Sequence, residues 1–509
     1  MKLKRSGNAK RNVIVGVFSK SVTILLPFIT QTVFIKTLGA EYNGLKGMFN
    51  SILQVLSLAE LGFGSALVFS MYGPIANDDN EQICALLNLY KKIYHIVGCI
   101  VLCAGLIVVP FLKGFIKGTY PSDVNIYIVY LMYLMNTVLS YWFLAYKVSL
   151  LNAFQRLDIV SIVSLITTIG TSILQVVSLI YYKNFYMYLI TLLLNTVANN
   201  LLIGLFVDIM YPQYKCYGKV SAHTMASIKK KTMGLAMARI CGVTRNSFDN
   251  IFLSMFIGLN VTGIYNNYYH ILTSVSGFMT TFSASLLAGV GNSIASETIQ
   301  KNYEDMKKLD FIFMLLSGWC TVCLICLYQP FMELWLGKEN MFSSEAAVLF
   351  SVYFYILCMG QIRAVYADGA GLWWENRYRI ILEAISNIVL NYLFVLKWKV
   401  FGIILATAIS LFLFGFIGST IVAFKYYFVQ GMDVYLKSHF LYALVTAANV
   451  VVVMSICNLF KGDILTVFII RAFICCTVSP FLYFLVYFKS EIYKQTKHWF
   501  TARVKIRRR

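Results

Sequence analysis

Eight ionisable side chains stand inside stretches of sequence that are otherwise apolar: Lys20, Lys36, Glu60, Arg239, Arg245, Asp249, Glu383 and Arg471. At mid-membrane depth each costs at least about 2.5–3.5 kcal/mol, so each needs a partner, a wet cavity or a route to the surface. Segment 233–257 is the richest of these stretches. Arg245 and Asp249 are four apart and can pair on one helical face, which would simply stiffen the helix, while Arg239, six before Arg245, lies about 120° round from it. Neither Arg239 nor Lys20 has a carboxylate three or four positions away. Cations without a local partner select an anionic ligand, and phosphate is the group that Arg grips bidentately and Lys binds as a point charge. Lys20, Arg239 and Arg245 are therefore the candidate anion-binding residues. Glu60, Asp249 and Glu383 are the candidates for charge balance or for binding a coupling proton or sodium ion. Glu383 follows Arg379 by one turn, so a local ion pair is its plainer role. Lys36 can snorkel to the outer surface, and Arg471 can pair with a headgroup or a neighbouring helix.

Other chemistry is sparse. Cys320, Cys323 and Cys326 share one helix with no His nearby, and the twelve cysteines suggest no disulfide framework, so packing is their expected role. No HExxH, GxSxG or GxxxxGK[ST] occurs. We expect no metal, no bound cofactor and no catalytic residue, hence not an enzyme. Tyr141, Trp142, Tyr265, Tyr268 and Tyr269 could stack on sugar rings, although aromatic belts at the membrane interface use the same residues.

The elements that must hold these side chains follow from composition. Of 509 residues, 59% are apolar and 13% charged, against about 45–50% and 25% in soluble domains. Fourteen apolar runs of about 20 residues emerge, each long enough to span hydrocarbon as a helix: 13–38, 47–72, 93–112, 124–146, 159–182, 185–210, 233–257, 262–289, 309–333, 346–366, 379–396, 400–424, 439–460 and 464–488. The predicted fold is all-α and polytopic. The links are too short for a separate catalytic domain. Link 72–92 carries Ile83, Leu86, Leu87 and Tyr90 at helical spacing and reads as an amphipathic helix lying on the membrane.

Charge sets the orientation. With both termini cytoplasmic, 30 of the 43 Lys and Arg fall on the inner side and eight on the outer, as the positive-inside rule requires. The net charge of +21 is therefore a topology signal, and the basic tail 489–509 suits anionic lipid, not nucleic acid. The basic start "MKLKRSGNAKR" precedes a run too long for a signal peptide, which we read as retained.

The two halves carry a faint repeat. "TQTVFIKTLGAEYNGLKGMFNSIL" (30–53) aligns without gaps on "DNIFLSMFIGLNVTGIYNNYYHIL" (249–272), pairing Gly39 with Gly258 and Gly44 with Gly263 at an offset of 219. Six spans fit inside that offset, so the repeats run parallel, related by an axis along the membrane normal. The expected organisation is a six-span lobe at 1–210, a cytoplasmic linker at 211–232, a second six-span lobe at 233–425, an appended helix pair at 426–488 and the basic tail. The same offset maps Lys20 onto Arg239.

The stretches "LGAEYNGLKGMFNSILQVLSLAELGFGSALVFSMYGPIA", "RNSFDNIFLSMFIGLNVTGIYNNY" and "EAISNIVLNYLFVLKWKVFGIILATAIS" resemble Wzx-type oligosaccharide flippases of O-antigen and capsule synthesis. These are polysaccharide biosynthesis proteins of the multidrug/oligosaccharidyl-lipid/polysaccharide exporter superfamily. The resemblance implies a two-lobed transporter in the bacterial cytoplasmic membrane. It would carry undecaprenyl-diphosphate-linked oligosaccharide to the outer leaflet by alternating access, driven by a proton or sodium gradient, with a polymerase and glycosyltransferases as partners. Phe248 stands where the family often has Thr. The rival functions are a MATE-like exporter of small cations, which would want a carboxylate-rich cavity, and a membrane-embedded polymerase.

Overall fold

A computed structural model describes residues 5–60, 63–222, 224–225, 228, 242–243, 245 and 247–507; their side chains are described from 19 onward, with gaps at 20, 21, 24, 59, 63, 65, 66, 288, 500 and 502–507. No strand occurs among them. Nine of the described helices are long and apolar enough to cross a membrane, ten if the pair Ile126–Trp142 and Ala145–Ala153, bent by 46°, is one span. Their outer faces are apolar, as lipid demands: Ile107 is 68% exposed and Ile166 60%. The chain divides into two compact units, Met1–Gly263 and Ile264–Arg509.

In the first unit, helix Arg5–Leu38 packs along Leu157–Tyr182, which packs in turn on Phe185–Met210. Asparagine side chains start two of the helices: Asn125 accepts from the Tyr127 and Ile128 amides, Asn184 from those of Tyr186 and Met187. The expected second span is broken into Ala40–Leu56, a 3₁₀ turn Ser57–Glu60 and Phe63–Ala76. The link after it differs from expectation. Asp79 caps a helix at Gln82 that runs without interruption from Asn80 to Val108, and Ile83, Leu86 and Leu87 are at most 2% exposed. The apolar stripe read as membrane-facing packs against protein instead, because the continuous helix carries it inward.

The faint repeat has a physical counterpart in this unit. Gly39 (φ +99°) opens helix Ala40–Leu56, and Gly258 (φ +128°) precedes helix Leu259–Ser296. Both φ values lie where a side chain is strained, which explains glycine at each. The two helix starts cross. A Cβ on Gly44 would overlap the backbone of Leu259, and one on Gly263 would overlap the backbone of Ala40. Adding 219 turns Gly44 into Gly263 and Ala40 into Leu259, so the contact is reciprocal. Asn43 seals it by donating to the Gly263 carbonyl at 2.8 Å.

The second unit is organised around the 38-residue helix Ile299–Leu336, which packs on Ser344–Cys358, Asp433–Cys457 and Ile464–Tyr487. Arg377–Ser410 reverses at Lys399 (φ 51°, ψ −127°). Across that hairpin Asn387 donates to Thr407 at 3.0 Å and Ser410 at 3.3 Å, the kind of interhelical bond that hydrocarbon rewards. Beyond it, Leu411–Gly418 and Phe424–Phe428 wind as π-turns.

Candidate functional site

Glu60 ends the 3₁₀ turn in the broken second segment. Its carboxylate accepts the Tyr94 hydroxyl at 2.7 Å and the Tyr141 hydroxyl at 3.5 Å, and Tyr90 donates to Tyr94 at 3.0 Å. The Tyr90 and Tyr94 rings stack at 4.5 Å. A Cβ at Gly64 would come within 2.8 Å of the Tyr90 oxygen. The result is a half-buried carboxylate held by neutral donors.

The seventh segment docks against the second. Ser247 donates to Gln54 and Asn250 to Ser51, both at 3.0 Å. Between them Asp249 is 2% exposed, while Arg245, one turn earlier, is half-buried. Phe248 joins a row of rings with Phe252 and Phe256. Arg239 lies outside the described residues. Position 20 belongs to helix Arg5–Leu38, but the Lys20 side chain is likewise outside them. Glu60, Arg245 and Asp249 thus fall in the first unit.

Glu383 belongs to the second unit, where Arg379 donates to it at 2.5 Å, the local pair its spacing suggested. Arg471 reaches a neighbouring helix: it donates to the Cys326 carbonyl at 3.4 Å and to Asn458 at 3.3 Å. Lys36 is exposed at its helix end. Cys326 meets Cys457 and Cys475 from two other helices, their sulfurs within 4.8 Å of one another, amid Val322, Val453 and Ile474.

Sequence reasoning missed a buried trio in the second unit: Asp310, Arg363 and His439, with exposures of 3%, 2% and 1%. Asp310 and His439 sat at the very ends of predicted spans, and Arg363 was counted as a cytoplasmic topology signal. All three lie inside the predicted spans 309–333, 346–366 and 439–460 but within three residues of an end, where a charge reads as reaching the surface.

Residues 9–287 match the family model described as polysaccharide biosynthesis protein. Among solved structures, a lipid II flippase MurJ in an inward closed conformation matches at TM-score 0.67 and 15% identity, covering 94% of this chain and 98% of that one. An inward-facing multidrug resistance MATE family transporter of the MOP superfamily matches at TM-score 0.65 and 15% identity, covering 79% and 94%. A Vibrio cholerae MATE transporter matches at 0.57 and 13%, covering 84% and 99%. No match was found among curated proteins. At these identities the solved structures establish the fold, a helical membrane-transporter architecture.

Proposed function

The chain belongs to the polysaccharide biosynthesis protein family, and from that membership we propose that it flips an undecaprenyl-diphosphate-linked oligosaccharide from the cytoplasmic to the outer leaflet of the bacterial cytoplasmic membrane. Family membership carries the substrate class, and the excess of cations over carboxylates within the apolar segments supports an anionic headgroup. In this reading Lys20, Arg239 and Arg245 hold the diphosphate by charge-assisted hydrogen bonds in a wet cavity, and the polyprenyl chain stays in lipid. Glu60 and Asp249 balance those cations or couple an ion gradient, with Glu383 a third such carboxylate. The O-antigen or capsule repeat unit, both termini on the cytoplasmic side, and a polymerase and glycosyltransferases as partners belong to the same proposal.

Transport in vesicles tests it. Purified protein reconstituted with radiolabelled lipid-linked glycan should expose the glycan to an impermeant outer-leaflet reagent, while efflux of a cationic dye in the same vesicles stays at the protein-free level. Dye efflux without glycan transfer would instead favour a drug exporter, the activity printed for the MATE neighbour.

Glu60 offers a finer check. Glu60→Gln keeps an oxygen to accept from Tyr94 and removes only the charge. We expect unchanged thermal stability and a fall in transport of about tenfold, equivalent to ~1.4 kcal/mol. Equal losses of stability and transport would make Glu60 a packing residue.

A further inference from the structure

Asp310, Arg363 and His439 come from three different helices of the second unit, Ile299–Leu336, Gln361–Gly369 and Asp433–Cys457. Their burial demands compensation. The two terminal nitrogens of Arg363 have found their own, while its Nε is buried without a partner among the described residues. One terminal nitrogen donates to the Phe416 carbonyl at 2.7 Å and to the Thr420 hydroxyl, the other reaches the Gly415 carbonyl at 3.5 Å, and the guanidinium lies 5.7 Å from the centre of the Phe416 ring. The π-wound stretch Leu411–Gly418 supplies both carbonyls.

Asp310 has no such arrangement. Among the described residues its ionic neighbour within 4 Å is His439, with Nε2 3.6 Å from Oδ2, which is longer than a hydrogen bond. Asp310 Oδ1 and both ring nitrogens of His439 are buried without a hydrogen-bond partner among the described residues. Buried polar atoms left in that state call for an explanation. One shared proton provides it for Nε2: a carboxylic acid donating from Oδ2, or an imidazolium donating to Oδ2, needs only a few tenths of an ångström of closure.

We propose that Asp310 and His439 together form the binding site of an exchangeable proton whose uptake and release accompany the transport cycle. Loaded, the pair is neutral beside the cation of Arg363. Emptied, the proton has passed to water, His439 is neutral and the Asp310 carboxylate faces Arg363, so the fixed cation stabilises the state that lacks the proton. A cavity of about 850 Å³, lined by Lys301, Asp305, Lys308, Lys494 and His498 among others, opens along the same helix before Asp310, which is not part of its lining.

The other groups around the pair do not compete for the proton. Tyr435, whose ring lies 4.3 Å from that of His439, and Tyr442 face it from the histidine's own helix and Tyr355 from Ser344–Cys358, with Tyr487 of Ile464–Tyr487 packed against Tyr442. These phenols are neutral in the physiological range. Arg379 and Glu383 are closed on each other at 2.5 Å, and Lys308 and Asp305 at 3.3 Å. That leaves Asp310 and His439 to exchange.

The coupling rests on the transport reading, whereas the proton site can be tested without substrate. Infrared titration of the purified full chain should show a protonated-carboxyl band that disappears as pH rises, is absent from Asp310→Asn and moves in His439→Gln. In vesicles, glycan transfer by the wild type should respond to an imposed pH gradient, and Asp310→Asn should lose that response. A titration identical in the wild type and Asp310→Asn, or transfer that follows a sodium gradient and ignores the pH gradient, overturns the proposal. The wild-type gradient experiment decides even where a variant misfolds. Absence of any transfer by the wild type overturns the transport reading instead, and the infrared result still decides the proton site.

Discussion

Replacing Gly263 by alanine is expected to prevent assembly of the first unit. The new methyl would overlap the Ala40 carbonyl oxygen, and its counterpart on Gly44 would overlap that of Leu259. Both obstacles are backbone, so no rotamer change relieves them. Overpacking that side chains can absorb costs about 1–3 kcal/mol; here two helix starts must separate, breaking the Asn43 hydrogen bond to Gly263 as well. The cost should exceed that range and take a large share of a domain's ~5–15 kcal/mol. Thermal unfolding in detergent, with the yield of monodisperse protein, measures it. Gly170→Ala is the matched control: it lies inside helix Leu157–Tyr182 with nothing within 4 Å of the added carbon. It should be neutral or stabilising by up to about 1 kcal/mol. If Gly263→Ala melts like Gly170→Ala, the crossing is not the one described.

That crossing also marks what a sequence can and cannot disclose about such a protein. Span after span was legible because lipid imposes a uniform solvent, and the apolar runs 159–182 and 185–210 differ from helices Leu157–Tyr182 and Phe185–Met210 by at most two residues. Gly39 and Gly258 were legible because a positive φ restricts the residue type at a tight link. Inward and outward faces were harder. Hydropathy says that a charge lies near a span end but not which way it turns, and so Arg363 passed for a cytoplasmic cation although it is bound inside by Phe416 and Thr420. The stripe of Ile83, Leu86 and Leu87 failed for the complementary reason: an apolar face looks the same whether lipid or protein covers it. Glu60 was singled out as a charge needing a partner, and the partners it has are Tyr94 and Tyr141, 34 and 81 residues away. No local spacing could have named them.

Alanine at both Lys20 and Arg239 should abolish delivery of lipid-linked glycan to the outer leaflet, with insertion and abundance unchanged. The offset of 219 relates the two positions. Because Ala40 and Gly44 meet Gly263 and Leu259 reciprocally, the register that maps segment 30–53 onto 249–272 has physical meaning in the folded chain. Counting back along each segment in that register pairs Lys20 with Arg239, which in the proposed site would be two equivalent cations for a ligand with two phosphates. A hydrogen bond to a charged group contributes about 1.5–3 kcal/mol. Each single alanine should therefore slow transfer by roughly tenfold to a hundredfold, and the double variant by about the product of the two, if the phosphates are gripped separately. Lys20→Arg should retain most of the activity, since an arginine serves phosphate as well as a lysine does. Arg239→Lys should lose more, because a point charge cannot replace a bidentate grip. Normal transfer by the double variant would remove both residues from the site. A loss at Lys20 with none at Arg239 would keep the anion site but break its two-fold logic, leaving Arg245 as the second cation to vary.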